Sequence, residues 1–516
     1  MKTRKFFGGR RGALKLLGAA LCVAGAALVS AGWRRAHGPR AWQPAEVPVA
    51  FWSWRTEAPS EEEWARAREE TGARVLFLRA GQLNWSAGRV RRIRAFEGRP
   101  PAGAELHFVY NATPALLAEF EKVDEKELAG ALVEAFKVDA GRGGGRVKVS
   151  GLQLDLDVPT RLLPRYARVL REVRGRLDEG VRLSLTGLPT WMESSALGEV
   201  LDAADFWAPQ FYGAEIPPSV GRAVPISSTA SVARDAARAR ELGEPFYAGL
   251  AAYGYALHYD EKGRLLAVRG DLDPARVAGG RDFELIERRP FGRREAGDPA
   301  RLEAEWRYVF RALSDAVIDE TVVREGEQLV LDVPSAASLR ASARAVRESA
   351  GERLLGVCLF RLPARGEPST LSLAQVAAAL ADREARASTR LGADATADRF
   401  VLTATNDGEA GAVFGDDALA VTLRVPRGSV RGVARMEGFT SFETLCEQGT
   451  ALRPCGAARA GVVRLRARSW LAGARAEAAL SFEGEAAGTF AATVLMSADD
   501  GRAWERTGLV EIGGGR

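Results

Sequence analysis

The sequence predicts an α/β protein built on a (β/α)8 TIM-type barrel, with an insertion between strands seven and eight and a β-sandwich-like domain at the C-terminus. Three observations carry that expectation. Between residues 47 and 385, eight short apolar runs alternate with amphipathic stretches of helical period, the pattern of successive parallel βαβ units. No glycine fingerprint joins a run to a helix, so an open doubly wound sheet is the poorer match. From about residue 395 the helical period disappears, and strand-like runs split by Gly and Asp-Gly turns replace it.

The eight runs are Val47–Trp54, Arg74–Arg79, Glu105–Asn111, Val147–Asp157, Val181–Thr186, Phe206–Tyr212, Phe246–Ala252 and Leu354–Leu362. Between them, Ser60–Thr71, Asp124–Asp139, Thr160–Asp178, Ser194–Ala204, Ser231–Leu242 and Ser335–Ser349 repeat apolar residues at three and four positions, and Thr370–Ala381 follows the last run. The span exceeds the roughly 250 residues of a bare barrel. The surplus falls between runs seven and eight, where Leu257–Val268 and Thr321–Val333 read as hairpins around a helix, Arg301–Ala316. Gly141–Arg146 precedes a strand and reads as a loop. In the region 395–516, Arg399–Asn406, Ala418–Arg424, Gly461–Ala467, Ala476–Phe482 and Gly488–Ser497 are strand-like, the content of a small sandwich.

The first 32 residues form an address. Lys2, Arg4, Lys5, Arg10, Arg11 and Lys15 precede an apolar run, Leu16 to Gly32, with no acid among them. That is the charged and apolar order of an export signal. Gly9–Lys15 fits a twin-arginine signal except for Ala13, and an ordinary secretory route fits nearly as well. Val29-Ser30-Ala31 offers a cleavage site; the alternative is an uncleaved anchor, since seventeen apolar residues approach spanning length. Residues 33–46, with their Pro and Arg, read as a linker. The folded part is therefore expected in the periplasm, outside the cell, or tethered to the outer face of the inner membrane, touching membrane only through its N-terminus. In such a place Cys446 and Cys455, nine apart, are expected to oxidise to a disulfide. Cys358 lies inside run eight and reads as a buried small hydrophobe.

Composition excludes several classes of function. Of 516 residues, 47% are hydrophobic and 27% charged, which fits globular domains and not a disordered chain. Lys and Arg exceed Asp and Glu by 72 − 67 = 5, several of them in the N-terminal segment. No basic stripe marks the folded part, so nucleic acid is not an expected partner. Three histidines and four cysteines make a metal centre or metal cofactor unexpected. His37 is in the linker, His107 in mid-strand and His258 in the insertion, and no Gly-x-Ser-x-Gly or His-Glu-x-x-His occurs.

In a barrel the chemistry sits at the C-terminal ends of the strands. Run four ends Gly151-Leu152-Gln153-Leu154-Asp155-Leu156-Asp157. Side chains two apart share a face, so Gln153, Asp155 and Asp157 point to the axis while the leucines meet the helices. Two inward carboxyls roughly 7 Å apart along a strand raise one another's proton affinity. One can then hold a proton near neutral pH while the other stays charged. Alternatively, Asp157 caps the following helix or pairs with an Arg. Run six places Gln210 and Tyr212 on one face. The other ends carry Trp52 and Trp54, Arg79, Asn111, Trp191 beyond Thr186, Tyr253, and Arg361 beyond Phe360. Flat aromatic faces stack on sugar rings while amides and charges meet hydroxyls, so a polysaccharide or oligosaccharide is the expected partner.

The run-four segment resembles the motif Asp-Gly-x-Asp-x-Asp-x-Glu of chitinase-type (family 18) glycoside hydrolases. Gly151 matches the Gly and Asp155 the last Asp, while Gln153 falls on the middle Asp and Asp157 on the Glu general acid. Tyr212 matches the Tyr of the family's strand-six motif, with Gln210 and Gly213 in place of Met and Asp. The shorter Asp157 reaches about one bond less far than a Glu, which bears on where a proton can be delivered. The span 47–385 is also similar to a bacterial family of uncharacterised proteins, DUF3142, through Phe-Trp-Ser-Trp at 51–54, the run-four segment, Thr186–Trp191 and the run ending Pro209-Gln210-Phe211-Tyr212-Gly213. These resemblances imply a barrel related to glycoside hydrolases. They imply Asp157 as proton donor with Asp155 and Tyr212 beside it, while Trp52, Trp54, Trp191 and Tyr253, as flat rings near strand ends, are the expected sugar subsites. The competing expectations are a glycan-binding protein without turnover on a degenerate barrel, and a structural envelope protein whose acid pair is neutralised by Arg.

Overall fold

Each of the eight runs supplies one strand of a closed ring. The structure, a computed structural model, describes residues 48–516 apart from 143–146, 214, 271, 292–293, 296–297, 303–304, 365–366, 368, 397–398, 426–428, 484–488, 512 and 515–516. The export segment 1–32, the linker 33–46 and positions 143–146 of the Gly-rich loop lie outside the described residues. Gly141 and Arg142 end the helix Glu125–Arg142.

Strands β1 (Val49–Ser53), β2 (Ala73–Ser86), β3 (Glu105–Ala112), β4 (Val149–Asp155), β5 (Arg182–Gly187), β6 (Phe206–Pro209), β7 (Phe246–Ala251) and β8 (Leu354–Phe360) pair in parallel in that order. β8 then pairs with β1, with Trp52 opposite Phe360, and closes the barrel. Helices fill the connections where caps and apolar spacing demand them. Ser60 and Glu63 form a reciprocal capping box at the start of Glu61–Thr71, and Gly72 (φ 71°) ends it in a left-handed turn. Helix Leu163–Arg174 buries Leu163, Tyr166, Ala167, Leu170 and Val173, a stripe of period three and four.

The barrel is a packed core. Ala50, Val75, Phe77, Val109, Phe206, Ala208, Tyr247 and Cys358 fill its interior, while Leu152, Leu154 and Leu156 turn outward and are fully buried. Only glycine fits at position 151, because a Cβ there would meet the His107 ring and come within 2.7 Å of the Arg182 carbonyl. With the interior full, the C-terminal rim is where a ligand can enter.

The insertion differs from its expected form. Leu257–Val268 is indeed a hairpin, of strands Tyr255–Tyr259 and Leu265–Arg269. The expected helix Arg301–Ala316 is instead a strand, Trp306–Ala312, paired on both sides with Phe283–Pro290 and Gln328–Val333. Its sequence W-R-Y-V-F-R-A is dense in β-branched and aromatic residues, and pairing with two neighbours overrides the weak helical spacing. Nor do the two halves of Thr321–Val333 pair with each other. Thr321–Val323 pairs with Ala316–Ile318, while Gln328–Val333 joins the five-stranded sheet.

The C-terminal region forms two sheets of five and six strands, antiparallel except for the edge pairing of Gly513–Gly514 with Arg390–Thr396, over a shared core that includes Phe400, Val421, Leu465, Trp470 and Phe490. Cys446 and Cys455 are disulfide-bonded. The sandwich is tied to the insertion. Arg288 grips Asp417 with both terminal nitrogens (2.6 and 3.0 Å), and Trp306 Nε1 donates to the Asp499 carbonyl at 2.5 Å. Among the described residues no helix is long and apolar enough to cross a membrane.

Candidate active site

The inward alternation of eight strands brings their last axis-facing residues together at the rim. Asp155 ends β4 opposite Asn111 of β3. Thr186 of β5 donates its hydroxyl to Asp155 Oδ1 at 2.6 Å. Burial pushes the Asp155 carboxyl up, against the Thr186 hydrogen bond and the Arg79 guanidinium, which pull it down. Asp157 stands just beyond, exposed to solvent. The walls of the mouth still displace enough water around its carboxyl to push it up to about 7, and the charge of Asp155 adds to that. Asp157 is not a helix cap, since the turn that begins at Thr160 has no side-chain cap. Among the described residues, no Arg pairs with it.

Both acids open into a cleft of about 180 Å³, lined also by Trp52, Trp54, Thr186, Gln210, Tyr212, Tyr253 and Phe360. Phe360 is the hub of the aromatic wall. Its ring centre lies 6.2 Å from Trp52, 5.6 Å from Trp54, 6.0 Å from Tyr212 and 4.9 Å from Tyr253. Burial, and then the neighbouring Tyr253, hold the Tyr212 hydroxyl well above its usual range, so it stays a neutral donor.

The remaining expected site residues lie elsewhere. Gln153 is fully buried one layer below, accepting from Trp52 Nε1 at 2.7 Å and facing Ser184 Oγ at 3.4 Å. It orients Trp52 and does not reach the cleft. Trp191 is 1% exposed and cannot be a sugar platform. The short turn Pro189–Trp191 tucks it beneath the segment after Asp157, where its Nε1 donates to the Val158 carbonyl at 3.0 Å. Arg361 follows the inward Phe360, so it turns away, bonding the Gly270 carbonyl at 3.0 Å and pairing with Glu367. Arg79 stacks over Trp54 at 5.0 Å and donates to Asn111 at 3.2 Å, so both back the wall without lining it. Thr186 and Phe360 were not among the expected site residues. The signal was present: each sits two residues after another inward side chain, Ser184 and Cys358. Charge makes Arg361 the more conspicuous residue in the sequence, yet its apolar neighbour Phe360 is the one that lines the cleft. Among the described residues, no group of three or more His, Cys, Asp or Glu could hold a metal ion.

Residues 116–287, from the connection before β4 into the insertion, match the family model described as "Domain of unknown function (DUF3142)". No curated protein matches the chain. Among solved structures, the chain is similar to the spore cortex-lytic enzyme SleL of Bacillus cereus, at 15% identity over 65% of this chain and 74% of that one, with a TM-score of 0.41. It is likewise similar to a chitinase of Chromobacterium violaceum, at 15% identity over 65% and 98% of the two chains, with a TM-score of 0.41.

Proposed function

We propose that this protein is an exported or membrane-tethered glycoside hydrolase acting on an envelope or extracellular polysaccharide. One observation carries the reading: Asp157, an acid with no ion-pair partner among the described residues, stands poised near neutrality beside Asp155 in a mouth walled by aromatic rings. Asp157 gives its proton to the glycosidic oxygen as the C–O bond breaks and the bonding pair leaves with that oxygen. Asp155, ionised and held by Thr186, faces the positive charge that develops on the sugar ring. Tyr212 and Gln210 donate to the substrate's polar groups, and Trp54 and Tyr253 meet the faces of its rings. Water completes the cleavage and returns a proton to Asp157. The test is to incubate the full chain with neutral, N-acetylated and acidic polysaccharides and to measure new reducing ends; a cleavage-negative result across the panel refutes hydrolysis.

Thr186→Val sharpens the assignment. Losing a hydrogen bond to a charged group, worth roughly 1.5–3 kcal/mol, moves the Asp155 carboxyl further up. The acidic limb of the pH–rate profile, where Asp155 must be ionised, is then expected to move up by about one to two units. An unmoved limb would remove Asp155 from the mechanism.

A glycan-binding protein without turnover is the second reading. It is favoured by the two departures on β4: Gln153 is fully committed to Trp52 and Ser184, and Asp157 is short. A purely structural protein is disfavoured, because the cleft is open and no Arg neutralises Asp157 among the described residues.

A further inference from the structure

A second cavity, of about 310 Å³, opens beside the acid cleft, between the barrel rim and the sandwich. The two share a wall. Beyond Phe360, which lines the cleft, Pro363, Ala364, Ser369 and Thr370 line the cavity. Thr370 is bridged directly to Tyr253, with Gly254 N–H donating to the Ser369 carbonyl at 2.7 Å and Leu371 N–H to the Ala252 carbonyl at 2.8 Å. Tyr253 lines one opening and its bridge partner Thr370 lines the other.

The far wall belongs to the sandwich, through Ala472 and Asp499. It is held firmly: Trp306 Nε1 bonds the Asp499 carbonyl, and Arg288 grips Asp417. The lining mixes hydroxyl, amide and carboxyl groups with small apolar faces, and its charges are largely offset: Arg66 pairs with Glu70 at 3.2 Å, and burial pushes the Asp499 carboxyl up to about 7. Glu63 pairs with Arg55 at 3.0 Å and Glu367 with Arg361. Gln375 uses its amide oxygen on the Ser372 N–H, which leaves its amide nitrogen to donate. Groups of this kind meet sugar hydroxyls and offer no concentrated charge for an ionic ligand. Cavities between domains are favoured ligand sites.

We propose that this cavity is a distal glycan subsite, completed by the C-terminal sandwich, that holds a neutral stretch of the polymer engaged at the acid pair. The proposal rests on the glycan reading above. The test measures binding to the full chain carrying Asp157→Asn, so that nothing is cut, using disaccharides and hexasaccharides from neutral, N-acetylated, amino and uronic series. The hexasaccharide of the recognised neutral or N-acetylated series is expected to bind about tenfold more tightly than its disaccharide. Ala472→Trp, which fills the cavity from the sandwich side, is expected to erase that gain and leave disaccharide binding unchanged. Ala364→Trp fills it from the barrel side and is expected to do the same, with thermal unfolding of both confirming folded protein. If both filled variants keep the gain, or if affinity does not rise with length, the subsite is overturned while the glycan reading stands. Binding only of uronic or amino chains overturns the neutral assignment. If no saccharide binds even without the fillings, both ideas fall together.

Discussion

Asp157→Asn is expected to lower the rate of glycan cleavage by about 10²–10⁴-fold, the usual worth of a positioned general acid, while glycan binding persists. The amide fills the same space in the open mouth, and no hydrogen bond or ion pair of Asp157 is seen among the described residues, so the fold has little to lose. The pH profile supplies the sign. The folded protein holds this carboxyl up to about 7, first because the walls of the mouth displace water around it and then through the charge of Asp155. The acid is therefore loaded below that value and empties as pH rises through it. Turnover is expected to fall on the alkaline side near neutrality, and on the acidic side where Asp155 takes up a proton, giving a bell. Residual activity of the Asn variant should lack the alkaline limb. Reducing-end assays across the pH range decide the matter. A variant that cleaves at the parent rate eliminates Asp157 as the donor. A parent that binds glycan and never cleaves it leaves the binding-protein reading in possession of the cleft.

The sequence displays strand alternation at the barrel far better than it displays side-chain destination. On β4 the period of two separates Leu152, Leu154 and Leu156 from Gln153, Asp155 and Asp157, and this follows from pleat geometry alone. Depth along the barrel axis is another matter. Gln153 and Asp155 share a face, yet one pleat of height makes Gln153 a buried support for Trp52 and Asp155 a rim residue. Trp191 shows the same limit, since a strand-end tryptophan reads alike whether a turn lifts it into a cleft or folds it under one. The insertion misled for a different reason. Trp306–Ala312 gains its strand character from partners on both sides, Phe283–Pro290 and Gln328–Val333, and Phe283–Pro290, with four charged residues in eight, carries little apolar signal of its own. In the sandwich, strands such as Ser429–Glu437 and Ser441–Gln448 carry charged residues on an open face and show no continuous apolar run.

Arg307→Met is expected to be the most damaging single change to stability, by about 3–5 kcal/mol. Arg307 and Asp332 face each other across the central strand of the insertion's sheet, Gln328–Val333, and its neighbour Trp306–Ala312, both fully buried, with Nη1 and Oδ1 at 3.7 Å. Arg307 also donates to the Val220 carbonyl at 2.9 Å. Burial already pushes Asp332 up to about 7, with Arg307 the leading influence that restrains it. Without the guanidinium, the carboxylate loses that compensation and must protonate or unfold its surroundings. Because its folded-state proton affinity lies above the unfolded value, the cost is present above neutrality and is relieved as pH falls through the raised value. Urea unfolding should therefore show Arg307→Met losing less at mildly acidic pH than at alkaline pH. The double variant Arg307→Met with Asp332→Leu removes both charges and is expected to recover most of the loss, since apolar replacement of a buried pair is often neutral. The damage should also reach the cleft. Glu305, beside Trp306 at the start of the same strand, accepts from Ile226 and Ser227 at 2.9 and 3.1 Å, and those residues bond Gly213 and Phe211 on either side of Tyr212. A loosened insertion thus frees the loop that presents Tyr212, so glycan affinity should fall in the single variant and return in the double. If single and double variants lose equal stability, the two charges are not coupled and the insertion owes its integrity to packing alone.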